Sequence, residues 1–162
     1  METGSYLSLV LQEEFSDFGR VQQMLSVGLR LLMAMLLGGL LGFEREAKGK
    51  AAGLRTHMLV TLGAAMFVMP LELEGAEHDA LSRVVQGIAA GIGFLCAGTI
   101  LKGDGIDQIK GLTTSASLWF ATSVGITVGL GYEGTAVIGV LFALLILHAL
   151  PLLERPDKQA PH

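Results

Sequence analysis

The stretch GFEREAKGKAAGLRTHM, Gly42 to Met58, carries Glu44, Arg45, Glu46, Lys48, Lys50, Arg55 and His57 between two runs that are almost wholly apolar. Upstream lies MLSVGLRLLMAMLLGGLLGF, Met24 to Phe43, and downstream MLVTLGAAMFVMPL, Met58 to Leu71. A helix that crosses a bilayer needs about 20 mostly apolar residues. The first run has that length, and the second reaches it when started at Arg55, since an Arg near a helix end snorkels to the interface. The charged stretch therefore reads as a turn at a membrane surface that joins two spanning helices.

Three further apolar runs follow. They are VVQGIAAGIGFLCAGTIL, Val84 to Leu101; LTTSASLWFATSVGITVGLG, Leu112 to Gly131; and TAVIGVLFALLILHALPLL, Thr135 to Leu153. Five runs in 162 residues predict one all-α membrane domain over 23–153. The fifth offers only His148 as a polar residue, not the polar stripe that a soluble amphipathic helix shows. Composition agrees: 51% of residues are hydrophobic, 16% are charged, and mean hydropathy is +0.58. A soluble domain carries about 25% charge. The net charge of −4 argues against a nucleic-acid partner, which needs a basic face. The single cysteine, Cys96, sits in an apolar run and reads as a small hydrophobe. Residues 1–22 mix Leu, Val and Phe with acids and read either as an amphipathic helix on the outer surface or as a disordered tail. They do not read as a signal peptide, for they lack a basic leading segment. Residues 154–162 read as a short cytoplasmic tail.

Lys and Arg counts in the loops set the orientation. With five spans, Arg45, Lys48, Lys50, Arg55, Lys102, Lys110, Arg155 and Lys158 fall on one side, and Arg20 and Arg83 on the other. This places the N-terminus outside and the C-terminus in the cytoplasm. Helices in lipid associate through small residues that let backbones approach. Gly38 with Gly42, Gly87 with Gly91, Ala89 with Gly93 and Ala97, and Gly125 with Gly129 all have the four-residue spacing. The third run carries two such faces, which predicts a central position. The fifth is bulkier and is predicted to face lipid.

Polar residues inside such a bundle are the functional candidates. In the charged turn, Glu44 and Glu46 can fold back on Arg55 and His57 as an ion-pair network; the other reading is a solvated loop that only sets topology. Arg30 lies six residues into the first run, about 9 Å along a helix. It either snorkels outward or pairs across helices, with Glu72, Glu74 and Glu133 as acids on its side. Thr113 reads as an N-cap. Thr113, Thr114, Ser115, Ser117, Thr122 and Ser123 either bond back to their own helix or, with Thr61, Gln86 and Thr99, line a polar seam. Trp119, near mid-span, is predicted to pack between helices.

The segments GGLLGFERE, GLRTHMLVTLGAAMF, VVQGIAAGIGFLCAGTIL and GLTTSASLWFATSVGITVGLG occur in the order that resembles the membrane domain of the MgtC/SapB family, over roughly Arg30 to Gly131. The matching positions are Glu44, Arg45, Glu46, Gly53, Leu54, Arg55, Thr56, His57, Gly91, Gly93, Phe94, Gly98, Gly111, Leu112, Thr113, Thr114 and Trp119. The resemblance implies a bacterial inner-membrane protein with a periplasmic N-terminus. It implies a link to growth at low magnesium and to survival of pathogens inside macrophages, and an action by restraining another membrane complex such as the F-type ATP synthase. The short stretch after Leu153 resembles the SapB-like members that lack a cytoplasmic C-terminal domain.

Two functions compete on the sequence. The first is a regulatory protein that binds a membrane partner, with a homodimer as the favoured assembly. The second is a transporter or channel for Mg²⁺ or another small ion. Magnesium requires an oxygen octahedron, and no run has Asp or Glu in its middle. No GxxxxGK[ST] loop is present for ATP, and no nucleophile–base pair stands out. We expect no enzyme activity, cofactor or metal site.

Overall fold

The computed structural model describes residues 21–102 and 109–153, with Tyr6, Ser8 and Val10. The described residues form five helices: α1 Val21–Ala47, α2 Leu54–Leu73, α3 His78–Gly98, α4 Leu112–Gly129 and α5 Glu133–Leu153. Most of the segment 1–22 and all of the tail 154–162 lie outside the described residues. Each apolar run of the sequence is a helix. The connection expected between the third and fourth runs contains more: Leu101–Lys102 pairs antiparallel with Ile109–Lys110 as a two-residue ladder, β1 and β2.

By length and composition α1, α2 and α3 could cross a membrane, and the Glu133–Ala149 part of α5 is apolar but shorter. Helix α4 is not among them. Its hydroxyl-rich sequence lowers its hydropathy, and its position makes that tolerable. It packs against α1, α2, α3 and α5, so its polar groups meet protein rather than lipid.

The central helix is thus α4, and the expectation of a central α3 is wrong. Nine of the eighteen residues of α4 are buried, whereas α3 buries only Ile92 and Cys96. The reason is that small residues permit close approach without saying which helix approaches. Within the chain the pairs Gly38/Gly42 and Gly125/Gly129 are used. A Cβ on Gly42 would lie 2.7 Å from Leu54 Cα, and one on Gly129 would lie 2.8 Å from the Ala65 carbonyl oxygen. Gly87, Gly91 and Gly93 on α3 have nothing within 4 Å of an added Cβ.

The main apolar core joins Ala34, Leu37 and Leu41 of α1, Ala65 of α2, Ala121, Val124 and Val128 of α4, and Ala136 and Val140 of α5. A smaller cluster of Ala52, Ile92, Cys96 and Leu118 fastens α3 to α4 and the hinge. Helix α5 turns Ile138, Leu141, Phe142, Leu145 and Ile146 outward, as its bulky sequence predicts. Gly111 opens α4 with φ +96°, and a Cβ there would collide with the Thr99 carbonyl. A side chain is therefore excluded on both conformational and steric grounds.

Overpacking a filled contact costs typically 1–3 kcal/mol. Gly42→Leu or Gly129→Leu is expected to lower the thermal midpoint in detergent by several degrees. Gly93→Leu is expected to leave it unchanged, and scanning fluorimetry of the three variants checks both outcomes.

Candidate functional site

The polar side chains collect at the two ends of the bundle. At the end bearing Leu73 and Glu133, the Arg30 guanidinium is half-buried. Its Nη1 donates to Glu72 Oε2 at 2.7 Å and to the Gly129 carbonyl at 3.1 Å, and its Nε lies 3.6 Å from Glu133 Oε1. One cation thereby ties α1 to α2, α4 and α5. Of the acids considered in the sequence, Glu72 and Glu133 reach it; Glu74 has no such contact. The turn into α5 is shaped around the same group, because Gly131, at φ +82°, would bring a Cβ to 2.7 Å from Arg30 Nη2.

At the opposite end, the hinge between α1 and α2 divides its charges differently from the sequence expectation. Arg45 is only 3% exposed and pairs with Glu44. Glu44 also takes Lys48, whose Nζ is 2.6 Å from Oε1 and donates to the Leu147 carbonyl of α5 at 2.7 Å. Glu46 does not turn toward a cation. Its carboxylate accepts the Leu54 backbone N–H at 2.7 Å, satisfying one of the donors left open at the start of α2. Gly53 lets that carboxylate in, since a Cβ there would be 2.6 Å from Glu46 Oε2.

Arg55 does not join this network. Among the described residues it forms no ion pair, and it is exposed beside Thr56. Spacing along the chain allowed the pairing with Glu44. The shorter path from Glu44 to Arg45 and Lys48 won.

His57 is fully buried. Its Nδ1 lies 2.9 Å from the Gly53 carbonyl oxygen and its Nε2 lies 3.1 Å from Ser117 Oγ on α4. Ser117 Oγ is also 2.8 Å from the Thr114 carbonyl. A hydroxyl has one proton to donate. When the neutral ring gives its Nδ1–H to Gly53, the Ser117 proton goes either to Nε2 or to the Thr114 carbonyl. His57 thus links the hinge to the buried end of α4, and Thr114 beside it is 2% exposed.

Four other hydroxyls bond back to their own helices. Thr61 donates to the His57 carbonyl, Thr122 to Leu118, Ser123 to Phe120 and Thr127 to Ser123. No continuous polar seam forms among them, and Gln86 is on an exposed face bonded to Ser82. Thr113 is exposed and is not the cap; Gly111 holds that position without a side-chain bond. Trp119 is 55% exposed, not packed between helices. Its position on α4 is one from Leu118, which takes the buried place. Cys96 is buried, with Sγ 3.4 Å from the Ser115 carbonyl. Sequence reasoning missed Lys48 as the tie to α5 and Ser117 as the partner of His57. The first has no sequence signal, because its acceptor is a backbone carbonyl. The second was one of six hydroxyls of equal standing.

Comparison with known proteins bears on the motifs. The MgtC family model matches residues 31–156. The chain belongs to the MgtC family. Protein SrpB of Synechococcus elongatus is 44% identical over 142 residues, covering 81% of this chain and 78% of the relative. Protein MgtC of Brucella abortus is 41% identical over 128 residues, covering 78% of this chain and 52% of the relative. The putative magnesium transporter YhiD of Escherichia coli K12 is 35% identical over 126 residues, covering 74% and 58%. The chain therefore spans a little over half the length of the latter two. No solved structure matches. The matched region includes the Glu44–His57 hinge and the whole of α2 to α4.

Removing one partner of a buried ion pair leaves the other charge uncompensated, at a cost of about 3–5 kcal/mol. Glu44→Gln strands Arg45 and is expected to deplete folded protein in the membrane fraction. Glu46→Ala loses only the bond to the α2 N-terminus, worth about 1 kcal/mol. Arg55→Ala is expected to stay within about 0.5 kcal/mol of wild type, as surface changes do. Denaturant titration in detergent orders the three; a larger loss for Arg55→Ala than for Glu44→Gln would overturn the division of charges described here.

Proposed function

We propose that this chain is a multi-pass protein of the bacterial inner membrane that acts by docking on another membrane protein during adaptation to low magnesium. In this reading all five helices span, the N-terminus is outside, and the Glu44–His57 hinge and the C-terminus are cytoplasmic. The observation that carries the docking role is the outward face of α3. Ala89, Gly93 and Ala97 are exposed in a row, and Phe94 beside them is 86% exposed. In lipid, bare small residues at four-residue spacing are what let a second helix approach closely, and none of the five described helices uses them. The partner is another membrane complex, with the F-type ATP synthase as the one implied by the family resemblance, or a second copy of this chain. The two ionic ends give the bundle fixed geometry for such contact: Arg30 at one pole, Glu44 with Arg45 and Lys48 at the other.

The relative named as a putative magnesium transporter supports a second reading, ion transport. The geometry gives it less. Glu44, Glu72 and Glu133 are engaged with Arg or Lys, Glu46 with a backbone N–H, and most of the buried hydroxyls with carbonyls of their own helices. A hydrated Mg²⁺ needs oxygen ligands that are free to face it.

Sealed liposomes and affinity purification separate the two. The expected result is Mg²⁺ flux no higher than in protein-free liposomes, together with a membrane protein that co-purifies with wild type and is lost with Gly93→Leu. Flux above the blank that falls with Thr114→Val would favour transport. Reporter fusions at Lys48 and at the C-terminal end are expected to report the same side of the membrane.

A further inference from the structure

A groove of about 760 Å³ runs between α2 and α3, floored by Thr122 of α4. Its walls are apolar or bare: Leu59, Gly63 and Phe67 on α2, Gly87, Gly91 and Leu95 on α3. Among the described residues its one charged group is Arg55, which stands at one end with Thr56. Arg45 and Lys48 of the hinge are neutralised by Glu44; Arg55 has no carboxylate partner among the described residues. A free guanidinium at the mouth of an apolar cleft is complementary to an anion attached to hydrocarbon.

The dimensions choose between occupants. From Arg55 to Phe67 the groove extends roughly 18 Å at the rise of an α-helix. That is about the depth of one leaflet of a bilayer whose hydrocarbon core is some 30 Å thick. A spanning helix needs the full thickness of the membrane, which the groove does not offer. Flexible hydrocarbon chains from a single leaflet fit its length.

We propose that this groove holds the acyl chains of an anionic glycerophospholipid, with its phosphate received by the Arg55 guanidinium and the Thr56 hydroxyl. The proposal rests on α2 and α3 spanning the membrane, as in the reading above. It uses the side of α3 that carries Gly87 and Gly91, and leaves the Ala89–Gly93–Ala97 face to a protein partner. It also accounts for an exposed Arg in the hinge that contributes nothing to the internal ion pairs.

The test uses the delipidated full chain in a neutral detergent, titrated with phosphatidylglycerol or with phosphatidylcholine of the same acyl composition and read by native mass spectrometry. The expected result is a preference of roughly fivefold for phosphatidylglycerol, the size of one basic residue's attraction to anionic lipid. Arg55→Gln is expected to bring phosphatidylglycerol down to the phosphatidylcholine level, and Arg55→Lys to restore most of the preference. Gly91→Leu projects into open space, so it is expected to fold and to lose both lipids. Equal retention of the two lipids by wild type, or an unchanged preference in Arg55→Gln, would overturn the proposal. So would ready cross-linking between copies through Gly91→Cys in a Cys96→Ser background, which would assign the groove to a second chain. A preparation that stayed monodisperse without detergent would instead refute the membrane-spanning reading itself, a result independent of lipid preference.

Discussion

Helices α1 and α2 lie so close at Gly38 and Gly42 that one methyl group on either would strike the facing backbone or the Thr61 side chain. That approach decides much else. It brings Leu54 to the carboxylate of Glu46 and buries His57 against the inner side of the hinge. From there His57 reaches Ser117 on α4. Without side-chain bulk between the two helices, α4 can lie against both, with Gly125 and Gly129 repeating the same device toward Thr61, Ala64 and Ala65. In lipid the hydrophobic effect contributes little between helices, so such dispersion contacts and the polar bonds they allow carry the association.

The ionic ends follow from the same economy of burial. A charge inside a bundle is tolerated when its partner and its remaining hydrogen bonds are supplied. Arg30 meets two carboxylates and a carbonyl, and Glu44 meets two cations. Each end joins helices that are distant in the chain: Arg30 links α1 to α2, α4 and α5, and Lys48 links the hinge to the last turns of α5. The bundle is therefore pinned at both poles, while its middle is held by apolar packing.

The number of described helices and their places along the chain were legible because apolar runs of this length admit few other readings, although α3 begins at His78, six residues before its apolar run. The acids near Arg30 were legible because few acids lie on its side of the bundle. Neighbour relations were not. The spacing of Gly87, Gly91, Ala89 and Gly93 is the same as that of Gly38 and Gly42, yet among the described residues it is the Gly38 and Gly42 pair that lies tight against another helix, while Gly87, Gly91 and Gly93 face open space. Arg55 and Trp119 were misplaced for a related reason: sequence distance and residue type do not tell which side of a helix turns inward. The ladder of Leu101–Lys102 with Ile109–Lys110 is too short to leave a strand pattern in the sequence. Gly111, by contrast, marks a position that backbone geometry and the Thr99 carbonyl jointly reserve for glycine.

Helix α3 is attached along one narrow edge, through Ile92 and Cys96, and tethered at its two ends by a tight turn and by the small ladder. Most of its surface contributes little to the cost of folding. Bulk added on its outward side, at Gly87, Gly91 or Gly93, meets no described neighbour, so its profile can change there while the other four helices hold their shape.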